Sequence, residues 1–569
     1  VDSTSFTSTV LFDCLCNDLD LYPEPTGSRF DPFPSGYPVD SELTSREFAK
    51  YALLASAFKK SEDEVSTTAE ADTLSSFLAA NAACELRNQS AFCPPDDDLS
   101  VGLVINGARV LLERAFFPDG DPLVTMGSIE SAARFGPGRS VGLGDKPSLL
   151  YFKVGDSVQT AGSEFIRSWY EISTHHNPVC EAAEMARKAR HGRARIVSHG
   201  NLAFALKSFV AKRVTITEPP LNTYFQLGLG VVMEEALLHM FRISLKDQPA
   251  KNAELARQGS RLGVFATVDL KQCSDYISRS LVKYLFPPSV VRWMEKLRTC
   301  QVQFVVPSGE GGGRPKKQTI ALNMMSTMGN GFTFPMQTLL LASLVRSTLD
   351  VLGVEGQWGV FGDDIVVPTC CYPLLCRVIT ACGLIVNEKK SFSAGLFRES
   401  CGSDWFDGVN VRGVYLKKYT TDQDLFSCYN RLALWSARHD IPLKRTLSCI
   451  LQIVSGVVPL VPPDEPVTAG IRVPMPLDPP DPVTGLWTYF PYRVKPCSFT
   501  TEPWLLYEVG CDLKGKPKRF RQWVNDLKKF CDGSFNEPAL LKVFLAGGLR
   551  RYKMVFRESD RPSYRQHRA

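Results

Sequence analysis

The 569-residue sequence predicts an α+β fold, and three observations carry that expectation. Short apolar runs end in acids and read as strands. Phe265–Val268 runs into Asp269, and 359–361 and 364–367 flank a Gly362-Asp363 turn. A second pair of strand-like runs, 301–306 and 318–322, brackets the basic turn 311–317, which points to antiparallel hairpins. Longer stretches at 47–58, 69–86 and 336–345 read as helices. Another helix is expected from Thr421, where Thr421 and Asp424 form a capping pair and Leu425, Tyr429, Leu432 and Trp435 share one face.

Residues 1–45 are rich in proline and carry eight acids against one arginine, with little periodicity. They are expected to wrap over the body. The stretch 134–144 is a glycine-rich loop with Arg134 and Arg139. It lacks the Gly-Lys-Ser/Thr ending of a P-loop. Eleven prolines between Pro459 and Pro496 exclude helix and central strand, leaving an extended surface segment or a long loop. Seven Lys/Arg against two acids in 512–529, and the same ratio in 550–568, are interleaved with Phe520, Trp523, Tyr552 and Tyr564. Lys518, Arg519 and Arg521 there suit a nucleic-acid backbone, the alternative being a solvated surface or tail.

Composition excludes several classes. A hydrophobic content of 44% supports a sizeable core, and a net charge of +5 is mild. The 17 cysteines include no Cys-x-x-Cys, and no histidine falls at ligand spacing from a cysteine cluster, so neither zinc nor a disulfide framework is expected. The odd count and lack of a leader point to a reducing cytoplasm. No apolar run reaches membrane-spanning length, and Arg346 is expected to break the helix from Met336. His175 and His176 read as surface residues.

The chemistry concentrates in the acids. Asp363 and Asp364 adjoin in an apolar hairpin, where burying two neighbouring carboxylates is costly unless a cation offsets the repulsion. The alternative is an ordinary Gly-Asp turn. Asp269 ends a second apolar strand, with Asp275 on the following turn. If the two strands are neighbours, Asp269 and Asp363 can share two metal ions roughly 3.5–4 Å apart, as in-line nucleotidyl transfer requires. Between them, Gly329-Asn330-Gly331 precedes the helical run. It lets backbone pass close to a ligand and offers small polar groups to ribose or phosphate, although taken alone it reads first as a packing turn.

The ordered words Ala266-Thr-Val-Asp-Leu270 with Ser274-Asp275, Ser326-Thr-Met-Gly-Asn-Gly-Phe-Thr-Phe334, Gly362-Asp-Asp-Ile365, Asn387-Glu-Lys-Lys-Ser-Phe392 and Gly395-Leu-Phe-Arg-Glu-Ser-Cys-Gly402 give the chain a family likeness. It resembles the catalytic β subunit of the RNA-directed RNA polymerase of small single-stranded RNA bacteriophages, the levivirus replicases. Weaker echoes lie at Glu218-Pro219, 224–228, Asp247-Gln248 and 258–260. The likeness is firm over 218–415 and nearly absent after the helix near Leu434.

The resemblance implies a right-hand polymerase: residues 46–255 as fingers with part of the palm, 256–415 as an antiparallel-sheet palm with a fingers insertion near 286–322, and 416–569 as a mainly helical thumb with a basic end. It implies primer-independent synthesis of RNA on an RNA template from ribonucleoside triphosphates, with two Mg²⁺ or Mn²⁺ ions. Asp269, Asp363, Asp364 and the Leu270 carbonyl match its metal ligands. Ser274, Asp275, Gly329 and Asn330 match the nucleotide pocket, with Asp275 and Asn330 near the ribose. Lys207, Lys212 and Arg213 are the triphosphate candidates, a solvated strand edge being the alternative. Lys389 or Lys390 is the candidate acid for the departing pyrophosphate, phosphate binding being the alternative. Arg398 is the candidate for RNA backbone contact. The implied partners are template and product RNA, host elongation factors Tu and Ts, a ribosomal OB-fold RNA-binding protein and an RNA chaperone, in the cytoplasm of an infected bacterium and without a membrane. Two departures stand out: Phe361 where the family usually shows Tyr, and Lys271-Gln272-Cys273 between the motif aspartates. A reverse transcriptase and a non-catalytic RNA-binding protein with a palm-like fold are the rival readings.

Overall fold

The computed structural model describes residues 3–22, 42–60, 68–144, 148–208, 211–306, 316–474, 488–489, 491–493, 536–545, 563–564 and 567–568. Its centre is a three-stranded antiparallel sheet. Asp364–Pro368 lies in the middle, flanked by Phe265–Val268 and Gly359–Phe361. The register sets Val268 opposite Ile365 and Phe361 opposite Asp364. The β-branched residues Val366 and Val367 are fully buried, as a central strand requires.

The helix Thr333–Leu352 supports this sheet. It is buried over most of its length, through Leu339, Leu340, Leu341, Leu344 and Val345, and a helix that is apolar nearly all round belongs inside a core. The helices Leu99–Phe116 and Pro220–Phe241 pack against it. Gly107 permits the first of these contacts, because a Cβ there would meet Ser347 Oγ at 2.3 Å. Arg346 does not break this helix. It continues through Arg346, which stays half-exposed and pairs with Asp350 at 2.7 Å one turn on, and it ends only at Gly353 with φ +64°. Among the described residues no helix is long and apolar enough to cross a membrane.

The strands Gln301–Val306 and Lys316–Ala321 leave the acidic sheet and join an upstream hairpin, Gly200–Ser208 with Ala211–Thr217, in a four-stranded sheet. Lys316 and Lys317, expected in a turn, lie in the second strand; residues 311–315 fall outside the described residues. Phe77, Ile216, Val302 and Met324 fill the layer beneath that sheet. The helix Ala69–Asn88 lies against it, close to its expected bounds.

A second core joins residues 10–58 to residues 392–454. Residues 3–19, expected to lack periodicity, form the helix Ser3–Leu19, which buries Leu11, Leu15 and Leu19. Its acids hid an apolar stripe. The helix packs on Lys444–Ile453, and its Asp18 carboxylate accepts hydrogen bonds from the Arg445 and Thr446 N–H groups at 3.0 and 2.7 Å. This caps a helix start that lacks a local side-chain cap. Phe48 of Ser45–Ala57 stacks on Phe397 and Phe406, with centroids 5.0 and 4.6 Å away. The helix Asp422–His439 begins with the expected capping box of Thr421 and Asp424. The proline-rich segment is not wholly superficial, since Ile471 and Tyr492 are buried against Phe426. The 512–529 stretch, with Lys518, Arg519 and Arg521, lies outside the described residues.

Phe48→Ala should destabilise this second core by about 3–5 kcal/mol, the usual cost of emptying a buried aromatic site. Chemical denaturation of the full chain measures it, and a shift below about 1 kcal/mol would mean the aromatic stack is not a structural joint.

Candidate active site

The acidic hairpin is fixed by what lies under it. Gly362 has φ +62°, and a Cβ there would come within 2.5 Å of the Phe334 ring. Its N–H donates to Thr338 Oγ1 at 3.1 Å. The turn that carries Asp363 is thus seated on two successive turns of the long helix. From the other side, Asn252 Nδ2 donates to the Asp364 carbonyl at 3.2 Å and to Ser400 Oγ at 3.4 Å, and Gln248 Nε2 holds the Asn252 oxygen at 2.9 Å.

Asp269 follows Val268 and so stands beside the Asp364 end of the hairpin. The segment 385–392 runs antiparallel along its strand. Lys271 N–H donates to the Ile385 carbonyl and Asn387 N–H to the Asp269 carbonyl, both at 2.9 Å, leaving the Leu270 carbonyl outside that exchange. Asn387 Nδ2 also donates to Asp269 Oδ2 at 2.6 Å. Burial raises the Asp269 pKa, opposed by Lys390 and Asn387 and reinforced by the charges of Asp363 and Glu399. Asp364 is pushed up to about 6, first by burial and then by Asp363, Asp269 and Glu399, while a Cys401 N–H bond favours the carboxylate.

These groups fit divalent cations. The donors are carboxylates and a carbonyl, the hard oxygens that Mg²⁺ or Mn²⁺ takes, and their mutual repulsion is what a cation relieves. Among the described residues no three acidic, histidine or cysteine side chains form a ready cage. The arrangement is an open one, suited to an ion that keeps water and substrate phosphate oxygens in its shell.

The expected cations separate into groups. Lys390 retains much of its surface in solvent. Partial burial of its ammonium works against the charge, but Glu399 and Asp269 outweigh it and the net shift is upward. Lys389, next to it, is exposed and is not among the charges that act on Asp269 or Asp364. Lys207 lies within the fields of Lys390, Asp269 and Asp363; burial, then Arg213 and Lys390, lower its pKa. Lys212 turns away and pairs with Glu70 at 2.6 Å. Arg398 corrects the expectation of RNA contact. It is fully buried, donating to the carbonyls of Phe265, Ala394, Gly395 and Phe397 at 2.7–3.0 Å, and braces the 397–406 hairpin against the acidic sheet.

Around the expected nucleotide pocket, burial raises the Asp275 carboxyl to about 6, and Ser274 Oγ approaches it at 3.4 Å. Asn330 is buried; its oxygen accepts the Phe332 N–H at 3.0 Å, while its amide nitrogen donates to no described residue. Gly329 has a structural reason to be glycine: its φ is +117°, and a Cβ would lie 2.2 Å from the Ile216 carbonyl. The loop is thereby pressed against the four-stranded sheet. Gly331 N–H donates to Gln226 Oε1 at 3.1 Å, and Gln226 Nε2 donates to the buried Glu218 at 3.2 Å. Burial pushes Glu218 up to about 7 against its bonds from Thr299 and Gln226.

A family model described as RNA replicase, beta-chain, matches residues 16–462. The chain belongs to the RNA replicase β-chain family. Among its curated relatives, the RNA-directed RNA polymerase beta chain of Enterobacteria phage GA is 37% identical over 239 residues, 42% of each chain. The β subunit of Escherichia virus Qbeta is 36% identical over 232 residues, 40% of this chain and 37% of that one. The matched part thus spans about two-fifths of the length of those relatives. Among solved structures, the RNA-dependent RNA polymerase of a human picorbirnavirus overlays with a TM-score of 0.39 and 11% identity, over 67% of this chain and 74% of that one. An overlay that distant decides nothing here.

Several residues of this replicase-family chain were not singled out from sequence. Asn252, Gln248 and Thr338 hold the hairpin, and Asn387 holds Asp269. Asn387 and Gln248 sit inside words that carried the family likeness, which was their only signal. Asn252 and Thr338 look like ordinary polar residues on helices.

Two outcomes are expected. The Glu218 carboxyl is raised in the folded state, so the stability it contributes is complete below about pH 4.5 and is lost as pH rises through about 7. Glu218→Gln should remove that slope, worth about 3 kcal/mol between the two limits, in denaturant titrations at pH 5–8; parallel curves for variant and parent would refute it. Gly362→Ala should cost about 1–3 kcal/mol through strain and overpacking and lower activity. Unchanged stability in the same assay would mean that Phe334 yields freely.

Proposed function

We propose that this chain synthesises RNA on an RNA template from ribonucleoside triphosphates, as the catalytic part of a phage replicase. The observation that carries the reading is the meeting of Asp269 with the Asp363-Asp364 hairpin on adjacent strands, with Lys390 and Lys207 at its border. Family membership supports it.

Asp269, Asp363 and Asp364, with the Leu270 carbonyl, would hold two Mg²⁺ or Mn²⁺ ions. When bound, the pair lowers the pKa of the attacking 3′-hydroxyl and neutralises the leaving pyrophosphate. The 3′-hydroxyl gives its proton to solvent, its oxygen forms a bond to the α-phosphorus, and the bond from that phosphorus to the bridging oxygen of the pyrophosphate breaks. Asn387 holds Asp269 by its Oδ2. Lys390 donates a proton to the departing pyrophosphate; its raised pKa keeps it protonated and so available as an acid. Lys207 and Arg213 hold the triphosphate. Asp275 and the free amide of Asn330 sense the ribose 2′-hydroxyl, which favours RNA over the DNA product of a reverse transcriptase. A non-catalytic RNA-binding protein would gain nothing from crowding three carboxylates that repel one another.

In this reading the acidic sheet is the palm, the four-stranded sheet belongs to the fingers, and Asp422–His439 opens the thumb. Initiation is primer-independent. Elongation factors Tu and Ts, a ribosomal OB-fold protein and an RNA chaperone are host partners, and the work takes place in the cytoplasm of an infected bacterium.

Asp363→Asn should abolish ribonucleotide incorporation on single-stranded RNA while sparing RNA binding; near-normal turnover would sink the metal role. Lys390→Ala should lower kcat by about 10²-fold or more, as loss of a general acid does, whereas Lys389→Ala stays within a few-fold. Single-turnover incorporation separates the two, and equal mild effects would return both lysines to phosphate binding.

A further inference from the structure

On one side of the segment that reaches Tyr415, the Tyr415 ring lies within the fields of Lys390 and Glu399, which also act on Asp269. On the other, the segment meets the helix Asp422–His439 across a groove of about 300 Å³ lined by Arg412, Tyr415, Arg431, Leu434, Trp435 and Arg438, among others. Arg431, Leu434, Trp435 and Arg438 recur at intervals of three, four and seven, so they share one helix face. Arg431 and Arg438 are exposed, and among the described residues neither has a carboxylate partner. Arg412 is anchored instead: it pairs with Asp404 at 3.1 Å and donates to Tyr415 Oη at 3.3 Å.

The cations continue toward the site. The Lys60 ammonium lies 4.1 Å from the centroid of the Tyr415 ring. Burial lowers its pKa, as do Lys417, Arg412, Arg213 and Lys59. The charged groups that shift it most are all cations. Tyr415 and Asp404 in turn lie within the field of Lys390. Lys390, Lys60 and Arg412 thus gather around Tyr415, which lines the groove together with Arg431 and Arg438.

We propose that this groove binds the phosphate backbone of an RNA strand on its way to or from the acid cluster, with Arg431 and Arg438 on separate phosphates. The identity of the anion rests on the polymerase reading; the excess of unpaired cations does not. Guanidinium forks match phosphate oxygens two at a time. Seven residues of helix separate the two arginines by about 10.5 Å along the axis, farther than one phosphate group spans, which favours a polymer. Leu434, between them and 60% exposed, offers an apolar surface to sugar or base.

The test uses the full chain and a fluorescently labelled single-stranded RNA, with anisotropy titrations from 50 to 200 mM salt. Arg431→Ala/Arg438→Ala should weaken binding on the order of tenfold and flatten the logarithmic salt slope by about 1.4, for two phosphate contacts at about 0.7 each. Arg431→Lys/Arg438→Lys should keep most of the slope, because the charges remain. Both side chains are exposed, so the variants should melt like the parent, and circular dichroism checks this. The KM for ribonucleoside triphosphates at saturating template should not move. Unchanged RNA affinity and slope in the alanine variant would overturn the proposal. So would weaker triphosphate binding with RNA affinity intact, or a parent chain that does not bind RNA. Asp363→Asn, run alongside, reads synthesis separately: a parent that binds RNA through these arginines but incorporates nothing would cost the polymerase reading and leave the groove standing.

Discussion

Repulsion among carboxylates is the constraint around which this molecule is arranged. Burial raises the proton affinity of Asp269 and Asp364, the charge of Asp363 raises both further, Asp269 adds to Asp364, and Glu399 adds to both. Left to itself, such a cluster would splay toward solvent. It stays together because its backbone is bound into ladders: Asp269 lies between the sheet and the 385–392 segment, and Asp364 pairs with Phe361 inside the sheet. The acids are held by main-chain geometry, and their carboxylates are met by neutral donors, Asn387 on Asp269 and the Cys401 N–H on Asp364.

The supports of that geometry are mostly neutral. A hydroxyl (Thr338), three amides (Asn252, Gln248 and Asn387) and close backbone passes at Gly362 and Gly329 set the positions. Neutral donors suit this task, because they fix a carboxylate or carbonyl without cancelling the charge that attracts metal. A buried cation beside the acidic sheet, Arg398, directs its Nε and Nη1 donors at backbone carbonyls and not at the acids. Its burial pushes the guanidinium pKa down to about 10, so it remains charged at neutral pH.

The sequence made the acidic hairpin, the helix starts and the second hairpin legible, because each is a local matter. Gly362-Asp363 is a turn chemistry, Thr421 and Asp424 form a cap within four residues, and alternating β-branched residues mark strands. Three features were not legible. The helix Ser3–Leu19 buries its apolar side only because Lys444–Ile453 offers a matching surface, which no local window contains. Arg346 was read as a breaker when an i,i+4 partner, Asp350, makes it compatible with the helix. Arg398 carries the same charge whether it faces RNA or the protein interior, and only the packing of the hairpin decides which. Within the site, residue types identified the acids, whereas the separation of Lys390 from Lys389 and of Lys207 from Lys212 depends on how strands twist and turn.

The capping of Lys444–Ile453 by Asp18 also bears on how the chain is made. The bond from Arg445 to Asp18 spans 427 positions. At translation rates of about 5–20 residues per second, roughly 20–90 s pass between synthesis of the first helix and arrival of its partner. During that interval Leu11, Leu15 and Leu19 have no final place to be buried. The second core therefore closes only after the residues between the two helices have been made, and the apolar side of Ser3–Leu19 is open to wrong associations while it waits.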